Sequence, residues 1–142
     1  MEKLFKGRGV AEVLSDKCRQ TAKSKHLPTS FEYYQICRRE IIKMYENRDS
    51  LPVVELDIPA NLHQCNYKES GRYRFKKWNI EVYISSRNKC VENSGKDRER
   101  QYIYFPLNDT IYLCDDIYTG LKARLKTILK SNGIQIQDED FG

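Results

Sequence analysis

The sequence predicts an α+β domain: an N-terminal helical hairpin, an antiparallel sheet of about four to five strands, and a C-terminal helix packed on that sheet. Three observations carry this prediction. Residues 1–50 place apolar side chains at three- and four-residue spacing. Residues 53–114 are rich in tyrosine, isoleucine and valine and alternate with period two. Residues 115–133 return to helical spacing. Contiguous strands flanked by helices are the α+β pattern, not the βαβ one. The 142 residues fit one domain over 1–142, long enough to bury a core without disulfide or metal staples.

Each element has its own signal. A first helix over about 9–25 follows from Val10, Leu14 and Cys18 at four-residue spacing, with Thr21 and Ala22 one turn on. Pro28 separates it from a second helix. Thr29 and Glu32 there form a T-x-x-E capping box, and Tyr34, Cys37, Ile41 and Met44 supply the apolar stripe. The short connection makes an antiparallel hairpin of the two helices, which Pro52 closes. In 53–58, Val54, Leu56 and Ile58 alternate with Glu55 and Asp57 as in a half-buried strand.

The next stretch, 72–85, changes parity. Tyr73 and Phe75 are odd, whereas Trp78, Ile80, Val82 and Ile84 are even. One strand cannot put both sets on one face, so a hairpin or bulge is expected near Lys77 unless both faces are covered. Residues 87–100 read as a loop with five basic residues, and 101–105 with 110–113 as a hairpin around Pro106 and Asn108-Asp109. Asp115 or Asp116 is the expected cap of the last helix. Its stripe is Ile117, Leu121, Leu125 and Ile128, and it stops at Asn132-Gly133. Ile134 and Ile136 suggest one short edge strand, and 137–142 an acidic, frayed tail.

Composition restricts function more than it assigns it. Lysine and arginine total 25 against 20 acids, a formal +5, which permits an anionic partner without demanding one. Five scattered cysteines, Cys18, Cys37, Cys65, Cys90 and Cys114, argue against a disulfide scaffold and for buried, reduced thiols. The start of the chain lacks the apolar run of a secretory leader, and no stretch approaches the roughly 20 apolar residues of a membrane span. An intracellular protein, with no membrane partner and no cofactor, is expected.

Chemistry-bearing patterns are sparse. His63-Gln64-Cys65 is the one place where histidine and cysteine sit close, and it lacks the second ligand pair of a structural zinc site. His26 and His63 stand in no nucleophile–base context. Glu55 and Asp57 share a strand face, and with Lys76 or Lys77 they outline the carboxylates and lysine of a metal-dependent nuclease. The solvent face of an edge strand gives the same pattern.

The most informative segment is Arg72-Tyr73-Arg74-Phe75-Lys76-Lys77-Trp78. Cations alternating with rings suit a nucleic-acid surface, because cations neutralise phosphates and rings stack on bases. Arg72, Tyr73, Arg74, Lys76, Lys77 and Trp78 are therefore the candidate site for DNA or RNA. Further basic sets lie on the second helix (Arg38, Arg39, Lys43) and on the last (Lys122, Arg124, Lys126, Lys130). The sequence points to a non-enzymatic nucleic-acid-binding accessory protein of weak sequence preference. The alternative is a protein-interaction module, an inhibitor, adaptor or assembly subunit, using a tyrosine-rich surface that includes the 102–112 hairpin. In its small size and its lysine, asparagine and tyrosine content, the chain is loosely similar to accessory proteins of phages or large DNA viruses.

Overall fold

The computed structural model describes residues 27–115 and 120–142. The first predicted helix, and with it the helical hairpin, lies outside the described residues, as do His26, Cys18, Asp116 and Ile117.

The architecture is mixed α+β. Helix α1 (Ser30–Glu46) is followed by strands β1 (Val53–Leu56), β2 (Gly71–Phe75), β3 (Ile80–Ile84), β4 (Asn88–Val91), β5 (Asp97–Phe105) and β6 (Thr110–Asp115), and by helix α2 (Leu121–Ser131). The six strands form one sheet in the order β1-β2-β3-β5-β4, with β6 on the other side of β5. No helix among the described residues is long and apolar enough to cross a membrane.

The start of α1 is set locally. The Thr29 hydroxyl accepts from the Glu32 N–H, and the Glu32 carboxylate accepts from the Thr29 N–H, both at 3.0 Å. The parity change at 72–85 resolves as a hairpin. Its turn spans 76–79, with Asn79 at φ 54°, and it pairs Tyr73 with Val82 and Phe75 with Ile80. Odd residues of β2 and even residues of β3 thereby share one face.

Several sequence expectations are corrected. The sheet is not wholly antiparallel: β1 runs parallel to β2, with Val53 opposite Arg72 and Leu56 opposite Phe75. A parallel neighbour needs a crossover of a dozen or more residues. Residues 57–70 supply it, and their Pro59–Gln64 turn lays Leu62 into the core. The expected loop at 87–100 contains β4 and half of β5. Its polar composition hid a hairpin in which Cys90 and Val91 are buried. Ile134 and Ile136 form no strand; they pack partly buried on the core. Asp115 ends β6 and does not cap α2, whose N-cap is Gly120.

Both faces of the sheet are covered. On one, Tyr73, Phe75, Ile80, Val82, Ile84, Ile103 and Phe105 meet Leu121, Leu125, Ile128 and Leu129 of α2. On the other, Tyr83, Tyr102 and Tyr104 meet Tyr33, Cys37 and Ile41 of α1. Tyr33, Tyr73, Tyr83, Tyr102 and Tyr104 are thus interior packing. Tyr45 sits edge-on to Tyr83 and Tyr104 at 5.5 and 5.4 Å, and Tyr102 and Tyr104 are buried. The tyrosine-rich hairpin surface of the alternative reading is therefore largely inside.

The α1 layer is fastened where β3 breaks into β4. The Ser85 N–H bonds the Tyr102 carbonyl at 2.9 Å, and the Ser85 hydroxyl accepts the Tyr102 N–H at 2.8 Å. Next to it, the Glu40 carboxylate accepts from the Ser86 N–H and hydroxyl at 2.7 and 2.9 Å. The Tyr33 hydroxyl donates to the Ser86 carbonyl. Replacing Glu40 by alanine leaves the Ser86 N–H without its acceptor, and should cost about 1–3 kcal/mol in a urea unfolding titration. A loss within experimental error would show that this clamp contributes nothing.

Candidate nucleic-acid interface

The six residues of the predicted site divide in two. Arg72, Tyr73 and Arg74 belong to the sheet. Tyr73 is 3 % exposed and inside the α2-side core, so it offers no stacking face. Arg72 pairs with Glu81 at 2.6 Å and donates to the Arg48 carbonyl at 2.6 Å. Arg74 pairs with Glu81 at 2.8 Å and Glu55 at 3.3 Å. Burial raises the Glu81 carboxyl, but Arg72 and Arg74 outweigh that and hold it below its ordinary value. The stripe is neutralised by acids on the neighbouring strands, so these arginines are not the water-facing cations that alternation suggests.

Lys76, Lys77 and Trp78 lie at the β2–β3 turn, where the surroundings differ. Lys76 faces Asp57 at 3.4 Å, an exposed pair. Lys77 and Trp78 meet the end of the chain. The Lys77 ammonium contacts Asp140 Oδ1 at 2.6 Å and lies 5.5 Å from the Trp78 ring centre. The Trp78 indole N–H donates to the Gln135 carbonyl at 2.9 Å. The Trp78 ring stacks at 26° on Phe141 with centroids 6.5 Å apart. From α2, Lys126 contacts Asp138 at 2.8 Å. Lys122 Nζ lies 3.6 Å from where a side chain at Gly142 would begin.

The acidic end is therefore not frayed. Residues Asp138–Phe141 form a single tight turn in which Asp140 and Phe141 are buried, and Asp140 Oδ2 accepts the Gln137 N–H at 2.8 Å. The apolar Phe141 beyond the acids was the available signal. Two of the three basic sets meet on this segment, the turn and α2. The set on α1, Arg38, Arg39 and Lys43, belongs to the opposite layer.

The docked segment is held by Phe141, by the partly buried Ile134 and Ile136, and by a small set of polar contacts. Burying a phenylalanine is worth about 1.5–3 kcal/mol at most. Lys126–Asp138 is a surface pair of small value. Asp140 is the charged anchor. Burial pushes its carboxyl up, yet the Lys77 ammonium and the Gln137 N–H prevail and hold it below the ordinary range. A carboxyl depressed in the folded state contributes stability above its unfolded value, about 3.9. That contribution is lost as pH falls through the folded value. Trp78, the one tryptophan in the chain, reports it. Its emission should move to the red on acidification below about pH 4, ahead of any loss of far-ultraviolet circular dichroism. Asp140→Asn should remove that early step. Fluorescence and dichroism changing together in both proteins would contradict the anchor.

The remaining candidate residues come together less well. The exposed His63 ring has Nδ1 2.7 Å from the Ala60 carbonyl, and Cys65 donates to the Leu62 carbonyl. Glu55 and Asp57 are each ion-paired, to Arg74 and Lys76. Among the described residues no group of three His, Cys, Asp or Glu side chains is placed to hold a metal ion. Cys37, Cys65, Cys90 and Cys114 carry thiols. Burial pushes Cys90 and Cys114 up to about 11, where little nucleophilic thiolate exists. No family model, curated protein or solved structure matches this chain.

Proposed function

We propose that the protein is a non-enzymatic, sequence-tolerant nucleic-acid-binding accessory protein that binds single strands at the β2–β3 turn and the adjoining face of α2. The observation that carries this reading is the convergence of Lys77, Lys122 and Lys126 with the Trp78 ring on one anionic, ring-bearing segment. Phosphate on ammonium and base on indole repeat the same two contacts. The excess of cations over acids in the chain favours a polyanion. Relative to the sequence-based site, Lys76, Lys77 and Trp78 stay, Lys122 and Lys126 join, and Arg72, Tyr73 and Arg74 leave.

Fluorescence anisotropy of a labelled oligothymidylate tests it. Wild type should bind with Kd of about 1–100 μM at physiological salt, the range of non-specific contacts, and more tightly at low salt. Lys122→Glu with Lys126→Glu should weaken binding tenfold or more, because it removes two cations of the surface at the cost of one surface pair, Lys126–Asp138. Equal binding by this variant would move the interface elsewhere. Absence of binding, whether the 134–142 segment is docked or released, would end the nucleic-acid reading. It would leave an acidic, aromatic peptide of a protein partner as the ligand of this surface.

A further inference from the structure

We infer that the chain's own acidic segment, Asp138–Phe141, is an intramolecular competitor for this surface, so that segment docking and nucleic-acid binding exclude each other. The inference rests on the function proposed above and adds its regulation.

The contacts made by the segment are those a bound strand needs. Asp140 occupies the Lys77 ammonium at 2.6 Å and Asp138 the Lys126 ammonium at 2.8 Å. Phe141 covers the face of Trp78, and the Gln135 carbonyl takes its indole N–H. Lys77 keeps an exposed side, so a phosphate there must share its ammonium with Asp140, and a base reaches the Phe141-covered side of Trp78 only when these contacts open. Lys122 near Gly142 and Lys130 near Asp138 also face the segment, so the anionic segment is met mainly by cations. The segment is joined to α2 through residues 132–137 only. Asn132 and Gly133 end that helix, with Gly133 at φ 77°. Opening there breaks no helix or strand pairing, but it lifts Phe141 and the partly buried Ile134 and Ile136 from the core.

Mutual exclusion has an arithmetic consequence. Apparent affinity equals intrinsic affinity multiplied by the fraction of molecules with the segment released. Weakening the docking therefore strengthens binding, by more than the small gain against a polyanion that removing an acid from an unrelated surface position gives. It also changes the salt response. In wild type, phosphates must displace carboxylates from the same ammonium groups, and salt, which weakens phosphate binding, also favours release of the segment, so the apparent slope is shallower. With the segment open, each phosphate contact on a single strand adds about 0.7 to the salt slope.

The test uses the full chain carrying Asp140→Asn with Phe141→Ala, and a second variant, Asp138→Asn with Asp140→Asn, that keeps the phenylalanine in place. Both are titrated against labelled oligothymidylate, with Trp78 emission recording release. The expected result is at least tenfold tighter binding by the first variant, a steeper salt slope in both, and red-shifted Trp78 emission before oligonucleotide is added. A synthetic peptide of residues 134–142, added in trans, should compete the oligonucleotide off the first variant. Red-shifted Trp78 with affinity unchanged from a binding wild type would overturn the competitor and leave the binding function standing. Released segments with no binding by any form would overturn both. Should the first variant lose its fold by circular dichroism, the second variant and the peptide decide the matter by the same criteria.

Discussion

Replacing Leu125 by alanine is expected to destabilise the protein by about 2–5 kcal/mol in denaturant unfolding, because the side chain is wholly buried between α2 and the sheet. A loss below about 0.5 kcal/mol would mean that α2 is peripheral. The sequence suggests that Ile41 joins Leu125 in one core. The structure places Ile41 across the sheet, in the α1 layer with Tyr83 and Tyr104. Ile41→Val alone should cost about 0.5–1.5 kcal/mol. Combined with Leu125→Ala, the two losses should add, since residues sharing no partner are independent. A coupling above about 0.5 kcal/mol would contradict the separation of the two layers.

Reversing Arg72 and Arg74 together to glutamate is expected to act on folding rather than on binding alone. Alternation along the strand puts these side chains in water, where reversal is harmless. In the structure they clasp Glu81 and Glu55, and Arg72 also reaches the Arg48 carbonyl. Two new carboxylates beside Glu81 should cost about 2–4 kcal/mol, moderated by the partial exposure of Arg74. Adding Glu81→Arg should recover part of the loss by restoring opposite charges across β2 and β3. A stable double-reversal variant, within about 0.5 kcal/mol of wild type, would show that the ion pairs contribute nothing and return the arginines to solvent.

What the sequence made legible follows from the range of the forces involved. The capping box at Thr29 and Glu32, the stripe Leu121, Leu125 and Ile128, and the stop at Gly133 are set within one or two turns of chain, and they stand in the structure. The β2–β3 turn was legible because parity must change where a hairpin folds back. Features depending on distant residues were not. The parallel pairing of β1 requires the crossover through Leu62. Strand β4 pairs with β5, and its Val91 N–H donates to the Pro28 carbonyl, far away in sequence. In the candidate site, the composition of 72–78 was visible, but its partners were not. Whether an arginine or lysine there faces phosphate or a carboxylate of its own chain is decided by Glu81, Asp57 and Asp140, none adjacent to it in sequence.

The most direct measurement is titration of the native, full-length protein with unlabelled oligothymidylate at low salt while following Trp78 emission. Trp78 lies at the centre of the proposed interface and is the one tryptophan of the chain, so a stacked base must register there. The account predicts saturable quenching with the midpoint of the anisotropy titration, reversed by added salt. Emission that stays constant through a saturating anisotropy titration would contradict it, as would absence of binding and quenching both in wild type and with the segment released.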